Sequence, residues 1–346
     1  MLPHYLRQIV LSGFLCLVFV CPAMAKAEQV FDTFTLYYEN DFLAGTDRDY
    51  TSGLKLTWST PYTSDAQTAG WPSWIYPLSD RLPLVHDSGQ QRAVSLSIGQ
   101  EIYTPEDIHN PDLILDDRPY AGRTYVAVGI HGKTVLRQST WELNVGILGP
   151  ASLAEHAQRL VHTINGANDP EGWNNQLNNE LTVDAIFESR WKVKPPGVQQ
   201  GFSYDFIPHL GVRVGTVNVY ANAGGEFRLG WEMPEDFGTC PIRAGCEVNS
   251  AFEKNGNEKK RREKLSWHVF TALDVRLVLW DIYLDGNVFS DSHSVDKKPF
   301  VADSIVGLAL HYGRVEASYS YIYRTRQFET QSDGQAFSSL SISWLF

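Results

Sequence analysis

The chain has 346 residues, of which 43% are hydrophobic and 12% aromatic, and its formal net charge is −11. This length accommodates two average domains or one large all-β barrel. The excess of acidic residues argues against nucleic acid as the main partner.

Residues 1–27 have the three-part pattern of a secretory signal peptide. His4 and Arg7 precede an apolar run from Ile9 to Cys21, and small-residue cleavage patterns follow at 23–25 and 25–27. The apolar run, about 13 residues long, is too short to span a bilayer. We therefore predict that residues 1–27 are removed on export and that residues 28–346 form one β-barrel domain.

Export leaves two of the four cysteines, Cys240 and Cys246. An even pair in an exported chain favours a disulfide. Metal binding by this pair alone is disfavoured, because zinc sites require four ligands or three ligands and water.

The first two predicted strands flank a polar junction. Phe34, Leu36 and Tyr38 alternate with polar residues before it, and Leu54, Leu56 and Trp58 do so after it. This period of two is typical of strands with one apolar face. The junction contains Asn40, Asp41 and Thr51 and is longer than a plain hairpin needs. It is either a solvated loop of turn-forming residues or a functional site at the rim of a sheet or barrel.

Ten further segments alternate in the same way, and the two that contain several glycines, at 202–215 and 219–232, are the weakest. The ten segments lie near 94–99, 126–131, 140–147, 181–193, 202–215, 219–232, 267–279, 306–312, 314–324 and 339–346. After residue 27 no run of 18 apolar residues occurs, so no transmembrane helix is predicted.

Twelve alternating strands fit either a soluble sandwich or a transmembrane barrel. The barrel is favoured because the even count closes it and because aromatic residues lie near segment ends, as interface girdles do. The terminal Phe346 resembles the signal read by the barrel assembly machinery, which is therefore an expected partner. We predict an all-β fold, a transmembrane antiparallel up-and-down β-barrel of about twelve strands.

The order of the strands assigns each connection to a side. With the N-terminus in the periplasm, connections after odd strands face outside, near 40–51, 104–123, 149–179, 215–218, 281–303 and 327–336. The two long connections near 61–91 and 233–264 then face the periplasm. The second contains a basic run at 259–264, which on that side is better explained as a solvated segment than as a lipid-phosphate site.

One outer connection, 149–179, carries the strongest helical pattern. Leu153, Ala157, Leu160, Val161 and Ile164 recur at helical spacing, and Gly166 is a stop signal. Gln158 and His162, four residues apart, project from one side of this helix. A lone histidine is either structural or catalytic.

A second candidate lies in the outer connection at 116–122. Arg118 presents a planar fork of donors suited to a phosphate. The alternative is an ion pair with Asp116 or Asp117.

The motifs together resemble the lipid A 3′-O-deacylase family of Gram-negative outer membranes. Their order and spacing across nearly the whole mature chain make the resemblance specific. The motifs are Glu-Asn-Asp at 39–41, Asp-Tyr-Thr-Ser-Gly at 49–53, Gln-Glu-Ile-Tyr-Thr-Pro at 100–105, Asp117-Arg118, Gly149-Pro150, Gln158 and His162, Gly166-Ala167 and Trp173.

The resemblance implies a calcium-dependent esterase with His162 as general base. Asn40, Asp41 and Thr51 would face the histidine across the barrel mouth, with Gln158 binding substrate. Two positions depart from the resemblance. The best-known member of the family has an acidic residue six positions after the histidine, where this chain has Asn168, and a family lysine aligns near Asn110. Asp169 or Glu171 could replace the acid and Arg118 the lysine, but the sequence does not show that they do.

This chemistry is coherent for ester hydrolysis. A histidine with an unperturbed pKa of about 6.5 suits general base catalysis near neutral pH. A hard cation on Asp41, aided by Asn40, would stabilise the developing oxyanion. We therefore expect an enzyme of the bacterial outer membrane that removes a 3′-O-linked acyl chain from lipid A of lipopolysaccharide, with its active site facing the outer leaflet.

Two other functions remain open at this point. One is an outer-membrane phospholipase that uses serine and histidine, although no Gly-x-Ser-x-Gly elbow is present. The other is a non-enzymatic barrel, either a pore or a surface-binding protein. An open polar lumen would favour the pore, and a plugged lumen with Asn40, Asp41, Thr51 and His162 converging would favour the enzyme.

Overall fold

The computed structural model describes residues 30–41, 49–64, 71–72, 74–85, 89–166, 168–193, 201–239, 242 and 265–346. Twelve antiparallel strands close into a barrel, each paired with its neighbours along the chain, and β1 pairs with β12. The strands are β1 Thr33–Asn40, β2 Asp49–Ser59, β3 Gln91–Thr104, β4 Ala121–Lys133, β5 Arg137–Leu148, β6 Glu180–Trp191, β7 Phe202–Gly215, β8 Asn218–Trp231, β9 Ser266–Asp281, β10 Phe300–Tyr312, β11 Val315–Arg324 and β12 Gln335–Leu345. The predicted fold class is confirmed.

Short helices occupy the connections. They are α1 Ile75–Ser79, α2 Ala154–Asn165 and α3 Ile282–Asp285, with single 3₁₀ turns at Pro150–Ser152 and Gly172–Asn175. α2 ends at Gly166, whose φ of 69° needs the conformational freedom of glycine, as the sequence predicts. No helix in the described part of the chain is long and apolar enough to cross a membrane.

The two faces of the wall differ as alternation predicts. Outward positions form apolar rows across neighbouring strands, for example Leu56, Ile98, Val126 and Val145. Positions between them turn inward and bury charged side chains such as Arg123. We call the rim that carries the connections after the odd-numbered strands the first rim, and the other the second rim.

Paired charges fill the interior. Arg213 Nη2 lies 3.0 Å from Asp184 Oδ2, and Arg324 Nε lies 2.8 Å from Asp303 Oδ1. The polar cavity among these side chains has a volume of about 80 Å³. The described lumen is therefore packed with side chains and is not an open channel.

Part of the β8–β9 connection enters this lumen from the second rim. Phe237 O accepts a hydrogen bond from Arg190 Nη1 at 3.1 Å, and Thr239 N donates to Glu226 Oε1 at 3.0 Å. Ile242 N reaches Glu39 Oε1, one residue before the end of β1, at 2.6 Å. The sequence placed the whole connection in the periplasm, whereas its first residues form a plug that rises toward the first rim.

Several predictions lie outside the described residues. They concern the signal peptide at 1–27, the Cys240–Cys246 disulfide and the basic run at 259–264. They stay predictions; two free thiols in the unreduced protein, detected by alkylation mass, would contradict the disulfide.

Candidate active site on the outer face of the barrel wall

A β-bulge in β2 redirects Thr51 to the outer face of the wall. The pairing with β3 shifts between Tyr50 and Ser52, so Thr51 is an extra residue in its strand. Its Oγ1 lies 2.7 Å from Thr104 Oγ1, and Thr104 has the outward parity of Ile102. Without the bulge, alternation would turn Thr51 toward the lumen.

Asn40 and Asp41 join Thr51 at the first rim. Asn40 Nδ2 donates to Thr51 O at 3.0 Å, and Asp41 N donates to the same carbonyl at 3.4 Å. Asn40 pairs with Ser52, which pairs with the outward-facing Ile102, so the Asn40 side chain also lies on the outer face. All three predicted residues are buried.

Helix α2 packs against this outer face. Ala154 belongs to a cluster with Ile102, Tyr120 and Trp173. A Cβ on Gly122 of β4 would lie only 2.0 Å from Ala154 Cβ. Glycine at this position is what lets the start of the helix approach the wall so closely.

The inner side of α2 is polar. Gln158 and His162 follow Ala154 at intervals of four residues, and all three are buried. Trp173 Nε1 donates to Gln158 Oε1 at 2.8 Å and fixes the amide. Gln158 Nε2 is buried and has no hydrogen-bond partner among the described residues, so a donor is available at this face.

A backbone carbonyl orients the imidazole of His162. Nδ1 lies 2.6 Å from Asn168 O. A carbonyl oxygen can only accept, so Nδ1 carries the proton and the lone pair of the neutral ring is on Nε2. Asn168 is the position where the family resemblance led us to expect an acid, and its backbone carbonyl orients the ring here.

The two candidate replacements for the acid make other contacts. Asp169 Oδ2 is 3.4 Å from Arg159 Nη1 on α2, and Glu171 N donates to Ile108 O. These contacts hold the connection together and do not involve the imidazole of His162. The carbonyl of Asn168 carries no side-chain signal, so sequence reasoning missed it.

Arg118 contacts β2, β3 and the connection after β11 at the first rim. It is 1% exposed, and Nε lies 3.2 Å from Asp49 Oδ1. Its Nη2 donates to Gln327 Oε1, and its guanidinium stacks between Tyr103 and Phe328. The ion-pair alternative is therefore realised with Asp49, and not with Asp116 or Asp117. Substrate binding by Arg118 stays a prediction.

Burial acts on the neighbouring Asp117. It raises the pKa of the carboxyl, although Asp117 Oδ2 accepts a hydrogen bond from Glu106 N and Oδ1 one from Arg118 N. His293 Nε2 contacts Asp117 O at 2.8 Å and ties this connection to the one after β9. Contacts around Arg118 therefore link the connections after β3, β9 and β11.

The described residues fit a hard cation in donor type but do not form a complete set of ligands. Calcium takes six to eight oxygen ligands. Asp41 offers a carboxylate, and the Asn40 amide, whose nitrogen is bound to Thr51 O, offers its oxygen. Within the described ranges no group of three or more His, Cys, Asp or Glu residues is arranged around a metal position.

The match to a known family extends over almost the whole chain. The sequence profile described as outer membrane protein LpxR covers residues 11–346. The chain belongs to the LpxR family. This is the lipid A deacylase family that the sequence motifs resemble, and it places the barrel in the outer membrane. No curated protein sequence matches the chain significantly.

One solved structure supports the fold, and two more distant ones are also similar. LpxR from Salmonella typhimurium is 20% identical and superposes with a TM-score of 0.70, covering 91% of this chain and 100% of that one. The β domain of the Bordetella autotransporter BrkA is 8% identical with a TM-score of 0.43, covering 92% and 100%. The translocator domain of NalP from Neisseria meningitidis is 9% identical with a TM-score of 0.37, covering 100% of both chains.

Proposed function

We propose that this LpxR-family barrel hydrolyses the ester that links a 3′-O-acyl chain to lipid A. The observation that carries the proposal is the arrangement of His162. Its Nδ1 is bound to a backbone carbonyl, so Nε2 has the basic lone pair, and the buried amide donor of Gln158 is one helical turn away. A base and a hydrogen-bond donor on one helix face are the groups that ester hydrolysis needs.

In the proposed reaction, His162 Nε2 removes a proton from water as the water oxygen attacks the ester carbonyl carbon. The carbonyl oxygen becomes an oxyanion, and Gln158 Nε2 donates a hydrogen bond to it. When the intermediate collapses, the carbon–oxygen bond to the sugar breaks and the imidazolium returns its proton to the leaving sugar oxygen. Calcium, held by Asp41 and Asn40, would supply positive charge for the oxyanion and for a substrate phosphate.

The outer surface of α2 supports a position within the leaflet. Leu153 and Leu160, on the side away from the wall, are 61% and 56% exposed. Exposed leucines on a connection of a membrane barrel are suited to contact acyl chains. With the N-terminus in the periplasm, the first rim faces the outer leaflet, where lipid A is located, and the ester reaches the site from the membrane.

The test compares two histidines of the same helix. His162→Ala should lower the rate of acyl release by about 10²-fold or more, because the general base is lost. The control, His156→Ala, changes an exposed residue of α2 and should retain activity. Lipid A mass is the readout, and heat-modifiable gel mobility reports folding. Deacylation by His162→Ala at the wild-type rate would refute the mechanism.

The same assay separates the alternatives. Release of fatty acid from glycerophospholipid but not from lipid A would identify a phospholipase. A pore is disfavoured by the paired charges and the plug of residues 236–239 that fill the described lumen. Ion conductance through the reconstituted barrel would contradict this conclusion.

A further inference from the structure

The β2–β3 connection folds back onto the outside of the barrel at the second rim. Trp71, Ile75 and Val85 are buried against Val94 of β3 and Ile130 of β4. Val94 and Ile130 have outward parity, in register with each other. We call residues 71–72 and 74–85 the rim segment; it covers wall positions that face lipid elsewhere.

Specific contacts fix the rim segment on the wall. Trp141 Nε1, from β5, donates to Pro83 O at 3.1 Å. Arg92 Nη1, at the start of β3, donates to Ser79 Oγ at 2.9 Å. Gly132 of β4 has no side chain in the way, since a Cβ there would lie 2.7 Å from Val85 Cα. The segment is therefore a built part of the barrel and not a solvated loop.

The other side of the rim segment is apolar and exposed. Trp74 and Leu78, one turn apart, are 58% and 43% exposed, and Leu84 is 37% exposed. Trp74, the N-cap of α1, and Leu78 lie about 100° around the helix from Ile75 and Ser79, which are buried. A large aromatic and two leucines are costly to expose to water but are favoured at a membrane interface.

The length of exposed apolar strand indicates what covers the apolar side of the rim segment. On β9, exposed outward residues run from Val269 to Leu279, about 33 Å at roughly 3.3 Å per residue. On β3 only Leu96 and Ile98 are exposed, and they are about 7 Å apart. The apolar band of a membrane barrel is about 25 Å tall, so bare wall at β3 is far too short to match the bilayer.

We propose that the rim segment is an interfacial anchor whose apolar side lies in the lipid leaflet opposite the candidate site. Its occupant is lipid, because its exposed residues continue the lipid-facing surface of Leu96 and Ile98. Trp74, Leu78 and Leu84 complete the apolar band at the second rim, as Leu160 of α2 and its N-cap Leu153 do at the first. The anchor thereby fixes the depth of this sector of the wall.

Spin-label accessibility tests the anchor. Nitroxides are placed by Trp74→Cys and Leu78→Cys in full-length mature barrel carrying Cys240→Ser and Cys246→Ser, reconstituted in phospholipid vesicles. Leu96→Cys provides the bilayer reference, and Asp112→Cys, exposed on a first-rim connection, provides the water reference. The ratio of the label's accessibility to oxygen over its accessibility to a water-soluble nickel complex is high in lipid and low in water. At both anchor positions this ratio should be close to that at Leu96 and well above that at Asp112.

Two outcomes would overturn the proposal. Ratios equal to that at Asp112 would place the segment in water, and low accessibility to both reagents would show that protein covers it. If the cysteine-free background does not fold, brominated phospholipids provide a second measurement. Subtracting the emission spectrum of Trp74→Phe from that of the wild type, without the cysteine substitutions, gives the fluorescence of Trp74. Brominated lipid should quench this fluorescence, and no quenching would reject the anchor.

Discussion

Replacing Gly122 tests whether close packing of α2 on the wall positions the candidate site. In Gly122→Ala the added Cβ would lie 2.0 Å from Ala154 Cβ and 2.7 Å from Ser152 Oγ. Carbon atoms in contact prefer about 3.5–4.0 Å. The start of α2 must therefore retreat by about 1.5–2 Å.

This displacement should be costly for catalysis and harmless for the barrel. A misplacement of about 1 Å can cost about 10²-fold in rate, so we expect Gly122→Ala to lose at least that factor in lipid A deacylation. The hydrogen bonds of β4 do not involve Cβ, so heat-modifiable mobility should stay that of the wild type. Lipid A mass spectra over time supply the rate.

A second substitution provides the matched control. Ala154→Gly removes the nearer of the two clashing atoms, and the Ser152 hydroxyl can rotate away from the new Cβ. The double variant Gly122→Ala with Ala154→Gly should therefore regain most of the lost rate. Ala154→Gly alone should cost little activity, because the glycine penalty at a helix end is about 1 kcal/mol or less. Wild-type activity in Gly122→Ala, or no recovery in the double variant, would refute the positioning argument.

Three further predictions concern charged groups. Burial alone would raise the pKa of Asp236, but the adjacent Arg228 lowers it below its usual value. The ion pair therefore stabilises the lumen plug above about pH 4, and this stabilisation is lost as the pH falls through the lowered pKa. Hydrogen-exchange protection of residues 236–239, measured relative to the intrinsic exchange rate at each pH, should fall in acid in the wild type but vary little with pH in Asp236→Asn. Arg118→Met should destabilise the barrel to urea by about 3–5 kcal/mol, because it leaves Asp49 buried and unpaired, and adding Asp49→Asn should recover part of the loss. Chelation of calcium should abolish acyl release, and Asp41→Ala should raise the calcium concentration needed for half-maximal activity; equal calcium dependence in both proteins would remove Asp41 from the proposed site.

The strands and the helix could be predicted because their signals are local. Alternation identified all twelve strands, and the glycine stop at 166 gave the end of α2. Which side of α2 is buried was harder to predict. In a soluble protein the side with Leu153 and Leu160 would be the buried one, but here the buried side carries Gln158 and His162. On a membrane barrel the apolar side of a helix can face lipid while its polar side packs against the protein.

The rest depends on contacts that no local pattern contains. Ile242 meets Glu39 across 203 positions of sequence, so nothing in the periodicity of the β8–β9 connection predicts a plug. The contact of His162 with the Asn168 carbonyl involves a backbone group that every residue type has. The bulge at Thr51 leaves the composition of β2 unchanged and appears only in its register with β3.

The bulge in β2 also affects how the sequences of related barrels can change while the site is kept. Because side chains alternate with a period of two, losing one residue between Asp49 and Gly53 would transfer the Thr51 hydroxyl from the membrane side of the wall to the sealed interior. A gap of one position, which a sequence comparison treats as minor, would separate the hydroxyl from α2 while every strand still paired. Chain length in this short stretch, as much as residue identity, decides whether a relative can present a reactive surface to its lipid surroundings.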